Sequence, residues 1–528
     1  MNRTPSVVER ILADKGPTLS SSLRARLQEL NPKLSDEAAR QQIARAGSSV
    51  RRLKGLTFPK GAVFLYLESS FGSDTYWNAL LRDMSESSTA YGFAVSALAA
   101  RGGMVTRSQF DIICGSPALQ KKQLSAQTVL DRLVAVRLLN SCTIEDVDYV
   151  RFDSRTPIHV APQAELKARR LAEKIMLLAL RDWARKLGIA SYNTITLRDD
   201  ASTQPKVGTI HWDLAGPSYL IPLATRQAEE KLKPGFFVCD VVAGAELTKR
   251  AVEAFVHKYR LLSSFKNIGR LMPLLLADRY SEDAFGYGRS QGIIIATPET
   301  LFGWEVAKAI TSLMTTLTNA AGMAVQRPEV VGELFTKLGS IEGAAGNLRG
   351  ALFEMLVGHC VQQIDAGSID IGKLVMDPDT GKQADIDVCR VKGNQEVWCY
   401  ECKGYQPTEE VTEQMVTHWL SDRVPLMHRA LRREARFQNC EIHFDFWTSG
   451  RFSPDAERRL NGAKQTTTRY VIGYKDGAEV RKYISKVRPA AVAKMFDEHF
   501  FQHSLAKNER KETAQKSNGN GSYQGEQV

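Results

Sequence analysis

Apolar residues in the first 67 positions recur with helical spacing and then switch to a strand-like run. Val7, Val8, Ile11 and Leu12 form one stripe behind Ser6, a helix N-cap residue, and Gly16-Pro17 breaks it. Leu19, Leu23, Leu27 and Leu30 form a second stripe, opened by Thr18 and broken at Asn31-Pro32. Ala38, Ala39, Ile43 and Ala46 form a third, capped by Ser35-Asp36-Glu37. Strands over 52–58 and 62–67, joined at Pro59-Lys60-Gly61, complete the region. Residues 90–153 repeat the plan. A helix through Phe93, Val95, Leu98 and Ala99 breaks at Gly102-Gly103. A second follows Thr106, a third covers 125–136, and a hairpin runs from Leu138 to Phe152.

The order of three helices and a hairpin resembles a winged helix-turn-helix. That resemblance implies a helix suited to the major groove of DNA and a wing whose cations suit phosphates. Arg40 and Arg45 fall on the third helix, and Arg51, Arg52, Lys54 and Lys60 near the wing, so these six are the candidate nucleic-acid contacts. Winged helices also serve as protein-interaction modules, and the second copy is less basic on its third helix.

Further on, helix and strand patterns alternate, which argues for α/β structure. A helix is expected over 164–187 and strands over 194–197, 209–214, 219–222 and 236–242. A helix over 247–262 and strands over 271–277 and 292–296 follow. A second α/β region spans 331–503. The tail from 504 to 528 is dominated by Ser, Asn, Gly, Gln, Lys and Glu, with one aromatic, Tyr523, and is expected to be disordered.

Composition narrows the class. At 528 residues, 43% hydrophobic and 24% charged, the chain reads as an ordinary multidomain globular protein. No apolar run approaches the roughly 20 residues that span a bilayer, so no membrane partner is expected. Eight scattered cysteines suggest no disulfide framework, and the N-terminus has no signal-peptide pattern, which together point to the cytoplasm. A net charge of +11 favours an anionic partner, and residues 1–60 hold twelve Lys or Arg against five acids.

The chemistry concentrates in residues 384–403. Side chains alternate faces along a strand, so Asp385, Asp387, Cys389 and Val391 share one face, and Val397, Cys399, Glu401 and Lys403 share another. An odd-numbered loop centred on Asn394, of three or five residues, places Asp387 opposite Glu401 and Asp385 opposite Lys403. A two-residue Gly393-Asn394 turn would put Glu401 on the wrong face. The flanking Val397, Trp398, Cys399, Tyr400 and Cys402 are apolar on both faces, the mark of a buried central strand, where charges need a reason. Facing carboxylates repel each other, and a divalent cation relieves that. Hard cations on carboxylates also stabilise charge on a phosphodiester and acidify a bound water.

Asp387 and Glu401-Cys402-Lys403 on a hairpin, after a helix carrying Glu354 in Gly346-Asn347-Leu348-Arg349-Gly350-Ala351-Leu352-Phe353-Glu354, resemble the PD-(D/E)xK nuclease superfamily. The resemblance covers about residues 340–450. It implies a restriction-endonuclease-like fold, with Glu354, Asp387 and Glu401 as ligands of Mg²⁺ or Mn²⁺ and Lys403 as the catalytic cation. It also implies Gln414 as an auxiliary group, with His418 in place of an aromatic seen four residues on. Ile386 stands where the name-giving pattern has Pro, which leaves Asp385 as an alternative ligand to Asp387.

Weaker signals compete. Cys399 and Cys402 are three apart on a strand and point to opposite faces, which does not suit a zinc knuckle. Cys389 and Cys399 should be cross-strand neighbours. His211-Trp212-Asp213 and Phe237-Val238-Cys239-Asp240-Val241-Val242 echo the acidic hairpin with Val242 at the lysine position, so the middle region is either a degenerate nuclease-like domain or an unrelated α/β domain. Arg429, Arg432, Arg433 and Arg436 make a basic helix face, suited to a nucleic-acid backbone or simply to solvent.

The expected architecture is multidomain: α-rich tandem winged helices over 1–70 and 88–155, an α/β domain over 160–328, and an α/β restriction-endonuclease-like nuclease domain over 331–503. The function the resemblance implies is metal-dependent DNA endonuclease activity, in the manner of a bacterial restriction or phage-defence effector, with a homodimer as partner where both strands are cut. The alternatives are a non-catalytic DNA-binding scaffold with an inactive nuclease fold, and a nuclease acting on RNA or branched DNA.

Overall fold

A computed structural model describes residues 5–117, 123–191, 193–198, 204–226, 232–265, 267–320, 329–341, 343–487 and 490–501. The tail expected over 504–528 lies outside the described residues. The protein is mixed α/β and divides into two compact units, Met1–Pro162 with Ala179–Gly303, and Gln163–Leu178 with Trp304–Val528. Each unit gathers more than one of the segments expected from sequence. No described helix is long and apolar enough to cross a membrane.

The first unit opens with helices Val7–Lys15, Ser20–Leu30 and Asp36–Ala44. Ser6 and Glu9 form a reciprocal capping box, and the Ser35 hydroxyl accepts from the Ala38 N–H at 3.2 Å. Thr18 and Leu19 do not open the second helix as expected. They pair with Leu65 and Phe64 as a short strand. The hairpin is also shorter than its sequence suggests, Val50–Arg52 against Phe64–Leu67. Leu56 and Phe58 leave the ladder because they turn into the core that holds Phe64, Tyr76 and Trp77. A helix not anticipated from sequence, Asp74–Glu86, carries Tyr76 and Trp77.

Helices Ala90–Ala99, Arg107–Ile113 and Ala126–Ala135 and the hairpin Leu139–Ile144/Val147–Phe152 follow the expected plan. Glu145 and Asp146 both have positive φ (50° and 61°), the conformation of a tight two-residue hairpin turn.

The rest of this unit is a five-stranded sheet: Thr196–Leu197, Leu214–Ser218, Gly235–Leu247, Leu271–Tyr280 and Ile294–Ala296. The first two pairings are antiparallel and the last two parallel, with helix Lys249–Ser263 between the third and fourth strands. The strand expected over 219–222 is displaced to Leu214–Ser218, where all residues but Pro217 are buried. Tyr219 and Ile221 remain exposed, Ile221 at 89%.

The second unit repeats this topology. After helix Ala344–Ile364, strands Ser368–Met376, Gln383–Lys392 and Glu396–Lys403 form an antiparallel meander. Helices Glu413–His418 and Val424–Arg433 lead to strand Glu441–Thr448, which is parallel to Glu396–Lys403. Helix Pro454–Thr466 leads to the parallel strand Val471–Lys475. Cys389, Val397, Cys399, Ile442, Phe444 and Phe446 from the sheet pack on Val416, Trp419, Val424 and Leu431 from the helices. At about 1.5–3 kcal/mol per large apolar side chain, this core holds the acidic strands in place.

Candidate active site

The hairpin has the register expected from its alternation. Lys392 pairs with Glu396, Val391 with Val397, Cys389 with Cys399 and Val388 with Tyr400. The loop therefore has three residues, with Gly393 at φ +55° and the Gln395 N–H donating to the Lys392 carbonyl at 3.2 Å. Glu396–Lys403 is flanked by a strand on either side, so its acids lie in the middle of the sheet.

Past Val388 and Tyr400 the ladder changes character. The Cys402 N–H donates to the Asp387 carboxylate at 2.7 Å rather than to a main-chain carbonyl. Asp387 and Glu401 are each 5% exposed. Lys403 Nζ lies 2.6 Å from Glu401 Oε1, and its side chain keeps access to solvent. A carboxylate oxygen of Asp385 lies within 4.8 Å of one of Asp387. Both acids that sequence left as alternatives are therefore present at the site. Asp385, fully buried, pairs with Lys167 from the helix Gln163–Lys186.

Burial, and then the Glu401 charge, push the Asp387 carboxyl up to about 6. Burial acts on Glu401 in the same direction, but Lys403 and Arg423 outweigh it and hold Glu401 below the usual carboxylate range. Burial opposes the Lys403 charge, yet Glu401 and Asp387 raise its pKa overall.

Glu354 sits half-buried on helix Ala344–Ile364. Burial raises the Cys402 thiol, and the charges of Asp387, Glu354 and Glu401 add to it. Gly404 brings the helix close, because a Cβ there would collide with the Arg349 carbonyl. Among the described residues, however, Glu354, Asp387 and Glu401 do not gather as a set within 4.8 Å. Gln414 is exposed on helix Glu413–His418, with no hydrogen bond to Asp387, Glu401 or Lys403 among the described residues. His418 instead bonds Asp422 at 3.1 Å.

Two groups at the site were not anticipated. Arg423 Nη1 donates to Glu401 Oε1 at 3.1 Å and Nη2 to the Asp385 carbonyl at 2.7 Å. Lys167 is the other. One lies twenty residues after Lys403 among other basic residues, and the other lies more than two hundred residues before Asp385, so neither has a local signal. The basic face at 429–436 is largely engaged within the chain. Arg429 pairs with the buried Asp377 at 2.8 Å, Arg432 donates to the carbonyls of Phe437, Gln438 and Cys440, and Arg436 pairs with Glu434.

The donor set suits a hard divalent cation: Asp387 and Glu401 are buried carboxylates on neighbouring strands whose oxygens could hold one, and the Lys403 ammonium and Arg423 guanidinium already meet Glu401.

In the first unit, Arg40, Arg52 and Lys60 line a groove of about 600 Å³ together with Arg24, Ser20 and Ser21. Arg24 was not anticipated. Arg24 and Arg40 both pair with Asp36, at 2.9 and 3.0 Å. Arg45, Arg51 and Lys54 are exposed but do not line this groove, and Arg51 pairs with Glu68 at 2.9 Å.

The fainter acidic pair in the middle sheet has the same local geometry. Leu214 pairs with Cys239, so Asp213 and Asp240 hold the positions of Asp387 and Glu401. The Val241 N–H donates to the Asp213 carboxylate at 2.8 Å, as Cys402 does to Asp387. Lys258 from the following helix binds Asp240 at 2.6 Å, and Arg101 and Arg198 lie beside Asp213. This cluster is closed to solvent, with Asp213 and Lys258 at 0% and 1% exposure.

Comparison with protein-family models, with curated proteins and with solved structures finds no match.

Proposed function

We propose that the chain is a metal-dependent DNA endonuclease whose active site is Asp387, Glu401 and Lys403. The observation that carries this reading is the buried carboxylate pair on adjacent strands, with a lysine two residues after the second acid at 2.6 Å from it. The strand order supports it. A helix, three antiparallel strands, further helices and a parallel strand are what the PD-(D/E)xK resemblance leads one to expect.

Mg²⁺ or Mn²⁺ held by Asp387 and Glu401 would supply an acidified water and neutralise charge on the phosphodiester. The chain's own groups do the rest. The Cys402 N–H holds one oxygen of Asp387 and fixes the carboxylate's orientation. Lys403, fully protonated and solvent-accessible, stands where an anionic phosphate would approach. Arg24, Arg40, Arg52 and Lys60 supply a sequence-independent grip on a phosphate backbone, as the winged-helix resemblance of residues 1–70 suggests.

One observation favours the alternative of an inactive nuclease fold that only binds DNA: Glu354 does not join Asp387 and Glu401 in a tight ligand set. Nicking of supercoiled plasmid decides between them. The proposed enzyme nicks with Mg²⁺ or Mn²⁺, not with EDTA, and loses nicking but not plasmid binding in Lys403→Met. Equal nicking by wild type and Lys403→Met would sink the reading.

A further inference from the structure

Beyond Val388 and Tyr400 the two acidic strands share no further ladder pair among the described residues, and side-chain contacts join them there instead. One such contact is the Cys402 N–H on the Asp387 carboxylate. The other is Arg423. One arm of its guanidinium reaches the Glu401 carboxylate on the second strand at 3.1 Å, and the other reaches the Asp385 carbonyl on the first at 2.7 Å. The bond to the carbonyl does not depend on the charge of either acid, so it would hold the guanidinium in place with a metal on Glu401. Its side chain is half-buried, 15% exposed, which restricts the rotamers it can reach.

The middle sheet offers a partial parallel. There too the acid of the second strand is held by a cation from the helix that follows, Lys258 on Asp240 at 2.6 Å, and there too the next N–H caps the first acid. The strand lysine differs, Val242 standing where Lys403 does, yet the helix-borne cation is kept. Lys258 donates to both oxygens of Asp240, whereas Arg423 divides its donors between the two strands.

We propose that Arg423 is a positioning residue that ties the Asp387 and Glu401 strands together and so fixes the spacing of the two carboxylates for a divalent cation. This rests on the nuclease reading above. Planar, two-armed donation is what the role requires, and lysine, a point donor, can make only one of the two contacts.

The test is calorimetric titration of the full chain with MnCl₂ at pH 7.5, for wild type, Arg423→Met, Arg423→Lys and Asp387→Asn. Plasmid nicking and plasmid affinity are measured on the same preparations. Losing a hydrogen bond to a charged group, roughly 1.5–3 kcal/mol, corresponds to a tenfold to hundredfold change. Arg423→Met is therefore expected to weaken Mn²⁺ binding at least tenfold and to lower the nicking rate at saturating plasmid, with plasmid affinity unchanged. Arg423→Lys is expected to recover part of the metal affinity. Mn²⁺ affinity within twofold of wild type in Arg423→Met would overturn the proposal. Should that variant not fold, the same twofold limit applied to Arg423→Lys decides. If wild type binds Mn²⁺, Asp387→Asn does not and Arg423→Met matches wild type, only the tie falls. If wild type itself takes up no Mn²⁺, the metal site and the tie fall together.

Discussion

Replacing Asp387 with asparagine should stabilise the metal-free protein at neutral pH. Asp387 is 5% exposed, and burial together with Glu401 raises its carboxyl to about 6. In the unfolded chain the same group titrates near 3.9. The native state therefore binds the proton more tightly than the unfolded state. Below pH 4 both states are protonated and the acid costs nothing. As pH rises to 6 and beyond, the native state must carry a buried charge, and the cost grows to its full value. A difference of about two pKa units, at about 1.4 kcal/mol each, sets that cost at roughly 3 kcal/mol. Asparagine keeps an oxygen for the Cys402 N–H and carries no charge, so it removes the cost and retains the bond. For a unit of this size the gain corresponds to a rise in Tm of roughly 5–10 °C. Thermal unfolding by circular dichroism in EDTA, at pH 7.5 and at pH 4, measures it. The rise should be present at pH 7.5 and absent at pH 4, and Mn²⁺ should stabilise wild type but not Asp387→Asn. A lower Tm for Asp387→Asn at pH 7.5, or the same difference at both pH values, would refute the electrostatic account of this site.

Other consequences are simpler to measure. Mn²⁺ affinity should fall about fivefold between pH 6 and pH 5, because Asp387 must be deprotonated to bind metal and its carboxyl is raised to about 6; calorimetry shows whether it is flat instead. Arg52→Ala with Lys60→Ala should weaken plasmid binding and reduce the dependence of log affinity on log salt by about two, one for each phosphate no longer neutralised; an unchanged slope removes the groove from the interface. Lys258→Met should destabilise the protein by about 3–5 kcal/mol, since it leaves Asp240 buried and without its nearest counter-charge. A chemical denaturation midpoint near wild type would mean that Asp240 is protonated in the native state.

Much of the architecture is legible in the chain because it depends on local rules. Ser6, Ser35 and Ser125 cap helices where a side-chain oxygen precedes an apolar stripe. The acidic hairpin is readable for a stronger reason. A strand repeats every two residues, so a slip of one would send Asp387 and Glu401 to opposite faces, and a three-residue loop with Gly393 at positive φ allows the one workable register. Where burial competes with pattern, the pattern fails. Leu56 and Phe58 look like strand residues and are core residues, and Thr18 looks like a helix cap and pairs with Leu65.

The sequence by itself thus determined the acids, the lysine and the way they face each other. Tertiary structure alone decided what surrounds them. Arg423 and Lys167 reach the acidic strands on long side chains from outside the hairpin, and Arg24 joins Arg40, Arg52 and Lys60 in one groove. Arg429, equally basic to the eye, turns instead to the buried Asp377. A charge is visible in sequence, but its partner is chosen by which elements pack side by side, and that choice is made by the core rather than by the charged residues themselves.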